Sequence, residues 1–204
     1  KKLIKQLPSS VLTPRAIANL VTLLYGSFTG TPSPALKHLQ SMAACRLSSF
    51  QAAELLDLGS GLASCKTLDH DFLQEIRRAL DRVATSTAPA SFEKLGTLSV
   101  DQGHSLPALL DEFFESLVIL KPAGWSCATS VHAKAIGVPL LSDFLRSFEV
   151  PVFQDPSADH GLAHRLDIET SGAMLVGTTM RSYWRLRLEF SVQEVKRQYL
   201  AVVH

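Results

Sequence analysis

Apolar side chains recur at helical spacing from the start of the chain. Thr13-Pro14 is typical of a helix start, because a hydroxyl group can cap the helix and proline is favoured at its first position. Apolar positions three and four residues apart then predict one helix after Pro14 and a second helix after Pro34. The apolar positions of these helices are Ile17, Leu20, Val21 and Leu24, followed by Leu36, Leu39, Met42 and Ala43.

The same spacing predicts two more helices before residue 85. Ser48 or Ser49 is expected to cap the third helix and Asp69 or Asp71 the fourth, because short oxygen-bearing side chains accept hydrogen bonds from the first free amides. Residues 1–84 are therefore predicted to form an all-α region. The third helix carries Leu55, Leu56 and Leu58, and the fourth carries Phe72, Leu73, Ile76 and Leu80.

The four predicted helices read as two copies of one helical hairpin. Leu12 and Leu20 recur as Leu47 and Leu55 at a shift of 35 residues, a period that suits helix–turn–helix repeats. The segment 47–76 is similar to the helical repeats of organellar RNA-binding proteins. An ordinary helical bundle explains the same pattern, so both interpretations stay open.

The pattern changes after residue 84. Residues 85–97 are small, polar and contain proline, so they are predicted to form a linker to a second domain at 98–204. Short apolar runs then alternate with helical stripes, which is typical of an α+β domain. Its predicted helices lie at 107–115, 138–148 and 180–190; its predicted strands lie at 117–120, in two runs around a polar turn within 159–179, and at 197–203.

The stretch His164–Gly172 joins ionisable and turn-forming residues. Arg165 and Asp167 are two residues apart, so they share one face if a strand persists there. An adjacent guanidinium group would keep a partly buried carboxylate ionised. Thr170 and Ser171 can bond to backbone groups in the turn. The pair suits either a reactive carboxylate or a salt-bridged hairpin that carries no chemistry.

Three segments of the second domain resemble the RluA-like pseudouridine synthases. HRLDIETSG at 164–172 resembles the family's HRLD-x-x-TSG signature. LVILKPAGW at 117–125 is similar to its strand and KPAG turn, and VKRQYLAVV at 195–203 to its later strand. Three matches in one order are a stronger signal than a single motif. The resemblance implies an α+β catalytic domain with a mixed or antiparallel sheet, which isomerises uridine to pseudouridine in RNA.

The resemblance also implies roles for four residues. Asp167 takes the position of the family's essential aspartate, which acts on the bond between sugar and base. Arg165 matches an arginine that helps displace the flipped base, and Tyr199 matches an aromatic residue that packs on the uracil. Arg197 matches a basic position near the catalytic carboxylate. The reaction has no redox step, so neither cofactor nor metal is implied, and the implied partner is RNA, either ribosomal or transfer RNA.

The resemblance also marks an incomplete domain. Lys121, Pro122 and Gly124 match a structural segment to which no chemistry is assigned. The family continues beyond the third match with a basic motif and an apolar strand, whereas this chain ends at His204. Residues 1–204 alone are therefore expected to have little activity.

Composition excludes several classes of protein. The 204 residues are 46% hydrophobic and 19% charged with a net charge of +1, unlike a disordered tail. No apolar run approaches the length of a membrane helix. Three separated cysteines indicate neither a disulfide framework nor a cysteine zinc site. The chain opens at Lys1, so no targeting signal can be read, and the compartment stays open between an organelle (mitochondrion or plastid) and the cytoplasm.

Other chemistry receives less support from the sequence. His160 and His164 are four residues apart, but Gly161 disfavours the helix that would let them chelate a metal. Asp167 and Glu169 are too close together for the carboxylate pair of an inverting glycosidase. The alternative function is that of a catalytically inactive RNA-binding protein with helical repeats of the organellar type.

Overall fold

The computed structural model describes residues 12–25, 33–84, 105–127 and 137–202. The chain divides into two compact units, one formed by Lys1–Arg82 with Leu188–His204 and the other by Val83–Arg187. The predicted linker at 85–97 lies outside the described residues, so the division into domains at 1–84 and 98–204 stays a prediction. Among the described residues, no helix has the length and apolar character needed to cross a membrane.

The first unit contains the four helices predicted from the apolar spacing. Their inward faces are the predicted ones, because Ile17, Leu36, Leu55 and Ile76 are fully buried. The spacing places one apolar stripe on each helix, and burial of that stripe stabilises helices that would be marginal alone. The helices are α1 (Pro14–Tyr25), α2 (Pro34–Ala44), α3 (Ala52–Ser64) and α4 (His70–Val83).

The helix starts agree only in part with the expected caps. Asp69 caps α4, since its carboxylate accepts the amide of Phe72 at 2.7 Å. The prediction that Ser48 or Ser49 caps α3 is wrong, because both lie in a short 3₁₀ turn, Leu47–Ser49. At the start of α3 the Gln51 amide instead donates to Glu54 Oε2 at 3.0 Å, which satisfies an amide that precedes the helix.

Two glycines of α3 let neighbouring elements of the first unit approach closely. A Cβ atom on Gly61 would lie 2.7 Å from Val21 of α1, and one on Gly59 would lie 2.8 Å from Leu188. Leu188 therefore packs on α3 at Gly59. Its neighbour Glu189 accepts a hydrogen bond of 2.7 Å from Arg77 Nε of α4.

The second unit is built on a three-stranded antiparallel sheet with the order β1-β2-β3. The strands are β1 (Ala108–Phe113), β2 (Ser116–Lys121) and β3 (Gly172–Gly177). β2 and β3 confirm two predicted strands. The predicted helix at 107–115 is wrong: a turn at Phe114 and Glu115 lets β1 pair with β2, and this pairing outweighs the local apolar spacing that favoured a helix.

Helices and turns cover the buried positions of this sheet. The predicted helix at 138–148 is confirmed in a shorter form as α5 (Leu141–Arg146), and the helix at 180–190 is confirmed as α7 (Met180–Ser191). Between them lie α6 (Pro151–Gln154) and a 3₁₀ turn at Pro156–Gly161. Helices with an antiparallel sheet confirm the α+β class. Fully buried members of this core are Leu117, Ile119, Leu141, Leu145, Phe153, Met174 and Val176.

Two other predicted strands do not form. Before the polar turn, only Leu162 bridges the sheet, opposite Val176, and residues 163–171 have no regular structure. Residues 196–202 are likewise irregular and exposed, so the strand predicted at 197–203 is wrong over its described part. Apolar alternation is insufficient there because a strand also needs a neighbouring chain to bond its amides and carbonyls.

Candidate active site around Asp167

Asp167 lies on an irregular loop, residues 163–171, that leads into β3. Along this loop Arg165 and Asp167 are exposed, while Leu166 and Ile168 are half-buried. The expectation of a partly buried carboxylate is therefore wrong, because the loop turns its apolar residues inward and its charged residues outward. No ion pair joins Arg165 to Asp167 in the described part of the chain.

The KPAG turn after β2 binds the loop on the carboxy-terminal side of Asp167. The amide of Gly124 donates to the carbonyl of Ile168 at 2.7 Å. Gly124 has a φ angle of 84°, which a residue with a Cβ adopts at a cost. The predicted turn is thus confirmed, and its glycine directs a backbone donor to the residue that follows Asp167.

Lys121 adds a buried ammonium group to the same contact. Its side chain is fully buried, and Nζ donates to the carbonyls of Pro122 at 3.0 Å, Trp125 at 2.8 Å and Ile168 at 3.3 Å. Burial lowers the pKa of Lys121, and nearby negative groups that include Asp167 act in the opposite direction. Lys121 thus ties the KPAG turn to the Asp167 loop.

Cys127 binds the loop on the amino-terminal side of Asp167. The amide of Leu166 lies 3.3 Å from Sγ, and Sγ lies 3.3 Å from the carbonyl oxygen of Leu166. Within the loop the Thr170 amide donates to the carbonyl of Asp167 at 3.1 Å. No local sequence pattern indicates this contact of Cys127, since the two residues lie 39 positions apart.

A left-handed turn precedes the loop. Asp159, His160 and Gly161 have φ angles of 47°, 57° and 82°. The Asp159 carboxylate accepts hydrogen bonds from Tyr183 Oη at 3.1 Å and from Arg187 Nη1 at 2.9 Å. Two side chains of α7 therefore hold a backbone conformation that non-glycine residues rarely adopt.

The two histidines near the loop make structural contacts. His160 Nδ1 lies 2.8 Å from the carbonyl oxygen of Phe153, and the Leu175 amide lies 3.0 Å from His164 Nε2. Nowhere in the described ranges are three or more His, Cys, Asp or Glu side chains grouped to hold a metal ion.

Tyr199 and Arg197 lie in the irregular segment that ends the described chain. Tyr199 is 66% exposed, and Arg197 is exposed as well. They fall in the first unit, whereas Arg165 and Asp167 fall in the second. The grouping of these four residues into one site stays a prediction.

The second half of the chain matches known proteins in the region of this loop. Residues 115–204 match the family described as RNA pseudouridylate synthase. The ribosomal large subunit pseudouridine synthase D of Xanthomonas campestris pv. campestris is 43% identical over 114 residues, which is 50% of this chain and 31% of that protein. An uncharacterized RNA pseudouridine synthase of Helicobacter pylori is 50% identical over 42 residues, 21% of this chain and 14% of that protein. No solved structure matches significantly.

The antiparallel strands and the HRLD loop agree with part of a pseudouridine synthase domain. Over residues 115–204 the chain is similar to the RNA pseudouridylate synthase family, and its similarity to the synthase D sequence confirms the predicted RluA-like resemblance. The chain spans less than a third of the length of these curated relatives.

Proposed function

We propose that the protein isomerises uridine to pseudouridine in RNA and that Asp167 supplies the catalytic carboxylate. The observation that carries the proposal is the double attachment of the Asp167 loop. Backbone contacts reach Leu166 and Ile168, on either side of Asp167, while its own side chain stays exposed. A reactive group needs a defined position together with access to its substrate, and this arrangement supplies both.

The proposed reaction needs a carboxylate and no cofactor. The N1–C1′ bond of uridine breaks, the base turns, and C5 bonds to C1′. The hydrogen on C5 leaves as a proton and N1 gains one, so the reaction is an isomerisation without net oxidation. An ionised Asp167 acts at or near the sugar as a nucleophile or as a base. A stacked uridine must first leave its stack, which costs a few kcal/mol.

Three further residues complete the proposal. Arg165 fills the space left by the base and contacts phosphate, and Tyr199 offers an exposed ring for the uracil. Arg197, which matches a basic position of the family, adds positive charge to the site. The substrate is RNA, and the name of the Xanthomonas relative points to large-subunit ribosomal RNA, with transfer RNA as the other candidate. The helical region at 1–84 is proposed to help dock that RNA.

The test compares two acidic residues of the same loop in the full-length protein. Asp167→Asn removes the proposed catalytic charge, and Glu169→Gln removes an exposed charge two residues further on. Each protein is incubated with transcribed large-subunit ribosomal RNA and with transcribed transfer RNAs, and nucleosides are separated after digestion. We expect Asp167→Asn to lose at least about a hundredfold in rate, whereas Glu169→Gln converts uridine at a rate close to that of the unchanged protein.

The alternative function predicts a different pattern. An inactive RNA-binding protein would bind the transcripts with and without Asp167 and convert neither. Pseudouridine formation that persists unchanged in Asp167→Asn would instead show that another group performs the chemistry. Conversion of uridine by residues 1–204 alone would contradict the expectation that this part has little activity.

A further inference from the structure

Cys127 contacts the backbone of Leu166, the residue immediately before Asp167. Its thiol faces both backbone groups of Leu166, with the amide nitrogen and the carbonyl oxygen each 3.3 Å from Sγ. We propose that Cys127 is a positioning residue, whose thiol holds the Leu166 backbone and thereby sets where Asp167 stands for the reaction. This inference rests on the proposed function.

A neutral thiol can make both contacts at once. The S–H group donates to the carbonyl of Leu166, and a sulfur lone pair accepts its amide proton. Cys127 is 7% exposed, and burial raises the pKa of its thiol. The group therefore stays protonated at neutral pH, whereas a thiolate could only accept. Met174 Sδ, at 3.7 Å on β3, is a second acceptor for the same proton.

The contact matters because of what holds the other side of Asp167. Gly124 bonds the carbonyl of Ile168 at 2.7 Å, and Lys121 reaches the same oxygen at 3.3 Å. Cys127 and the KPAG turn thus hold the residues immediately before and after Asp167. Neither contact involves the carboxylate, so Cys127 acts through the backbone and stays outside the chemical step.

Because residues 163–171 form no strand, the backbone of Leu166 needs a side chain as its hydrogen-bond partner. The last bridge to the sheet before this loop is at Leu162. In the described part of the chain, residues 163–171 pair with no strand. Without the thiol, the half-buried amide of Leu166 would lose the hydrogen-bond partner that it has in the protein, and leaving a buried amide unpaired is destabilising. The thiol supplies that partner, and an apolar side chain at position 127 would not.

The test uses Cys127→Ala, which removes both hydrogen bonds, and Cys127→Ser, which keeps a donor and an acceptor on a shorter bond. Cys65→Ala is the matched control, because Cys65 is a second buried thiol and lies in the helical unit. In the full-length proteins, hydrogen exchange is measured for peptides covering 163–171. Single-turnover conversion and affinity are measured with transcribed large-subunit ribosomal RNA and transcribed transfer RNAs.

We expect Cys127→Ala to speed amide exchange in 163–171 and to slow conversion by about ten- to a hundredfold with little change in RNA affinity. Cys127→Ser is expected to recover part of both effects, and Cys65→Ala to leave both unchanged. If Cys127→Ala fails to fold, the Ser variant carries the comparison with its intermediate rate.

Several results would overturn the inference. Unchanged exchange in Cys127→Ala, or faster exchange with an unchanged rate, shows that the thiol does not position Asp167. An equal loss in Cys65→Ala shows a general effect of removing a buried thiol. If the unchanged protein converts no uridine, the proposed function fails and the inference fails with it. An active protein with an equally active Cys127→Ala variant overturns the inference alone.

Discussion

Lys121 shows how a single buried charge can organise a turn. Its ammonium group donates to the backbone carbonyls of Pro122, Trp125 and Ile168. Lys121→Met keeps the length of the side chain but removes these three hydrogen bonds, so we expect a loss of about 2 kcal/mol in the free energy of unfolding. Lys37→Met, at an exposed lysine, is the control and should change it by less than about 0.5 kcal/mol.

Denaturant unfolding of both variants measures this difference. Replacing a buried charge by an apolar group of similar volume is neutral or stabilising in some proteins. A Lys121→Met variant as stable as the unchanged protein would therefore show that the carbonyls need no ammonium donor.

Tyr183 provides a test at the residue scale that depends on pH. Burial is the main cause that raises the pKa of Tyr183 to about 12, above the ordinary 10.0. The contribution of the protonated Tyr183 hydroxyl to the free energy of unfolding is complete below pH 10. It is lost between about pH 10 and pH 12, because the unfolded chain releases the proton at a lower pH than the folded chain does. The free energy of unfolding should therefore fall over this interval by about 2–3 kcal/mol on account of Tyr183.

The comparison that isolates this contribution is the stability gap between the unchanged protein and Tyr183→Phe at pH 8 and at pH 11. The gap should shrink at pH 11, because phenylalanine has no proton to lose. A gap for Tyr183→Phe that stays constant with pH would contradict the buried hydroxyl.

The left-handed turn before the Asp167 loop approaches β3 closely, and alanine variants can test this contact. A Cβ atom on Gly161 would lie 2.5 Å from the carbonyl oxygen of Gly177, and Gly161 has a φ angle of 82°. Gly161→Ala should lower the free energy of unfolding by about 3 kcal/mol or more. Gly137 has a φ of 66° with nothing within 4 Å, so Gly137→Ala should cost only about 1–2 kcal/mol.

Thermal unfolding of the two alanine variants separates the close contact from the cost of the backbone angle. Equal losses for both variants would mean that the left-handed conformation alone sets the cost. A smaller loss for Gly161→Ala than for Gly137→Ala would contradict the contact between the turn and β3.

Helices and caps that depend on residues close together in the chain were predictable from the sequence. One apolar stripe per helix predicted α1 to α4 and α7, and Asp69 was a correct cap because its partner lies three residues away. β1 was missed because a hairpin depends on its partner strand as much as on its own pattern. The strand expected at 197–203 shows the converse, since suitable residues form no ladder without a neighbour.

At the scale of the whole molecule, the motif predicted the family but not the geometry of the site. Residues 115–204, which contain HRLD and KPAG, match the RNA pseudouridylate synthase family. The exposure of Asp167, and its attachment through Cys127 and Lys121, depend on contacts between residues 39 and 47 positions apart. Such contacts follow from the path of the chain, which no local pattern encodes.

The role of Asp167 is tested most directly through the one hydrogen that the proposed reaction must release. RNA transcribed with uridine tritiated at C5 is incubated with the full-length protein and with its Asp167→Asn variant, and tritium released to water is compared with pseudouridine formed. If Asp167 is the catalytic carboxylate, the unchanged protein releases one equivalent of tritium per pseudouridine and Asp167→Asn releases only the background amount. Release by Asp167→Asn at an undiminished rate would contradict this role.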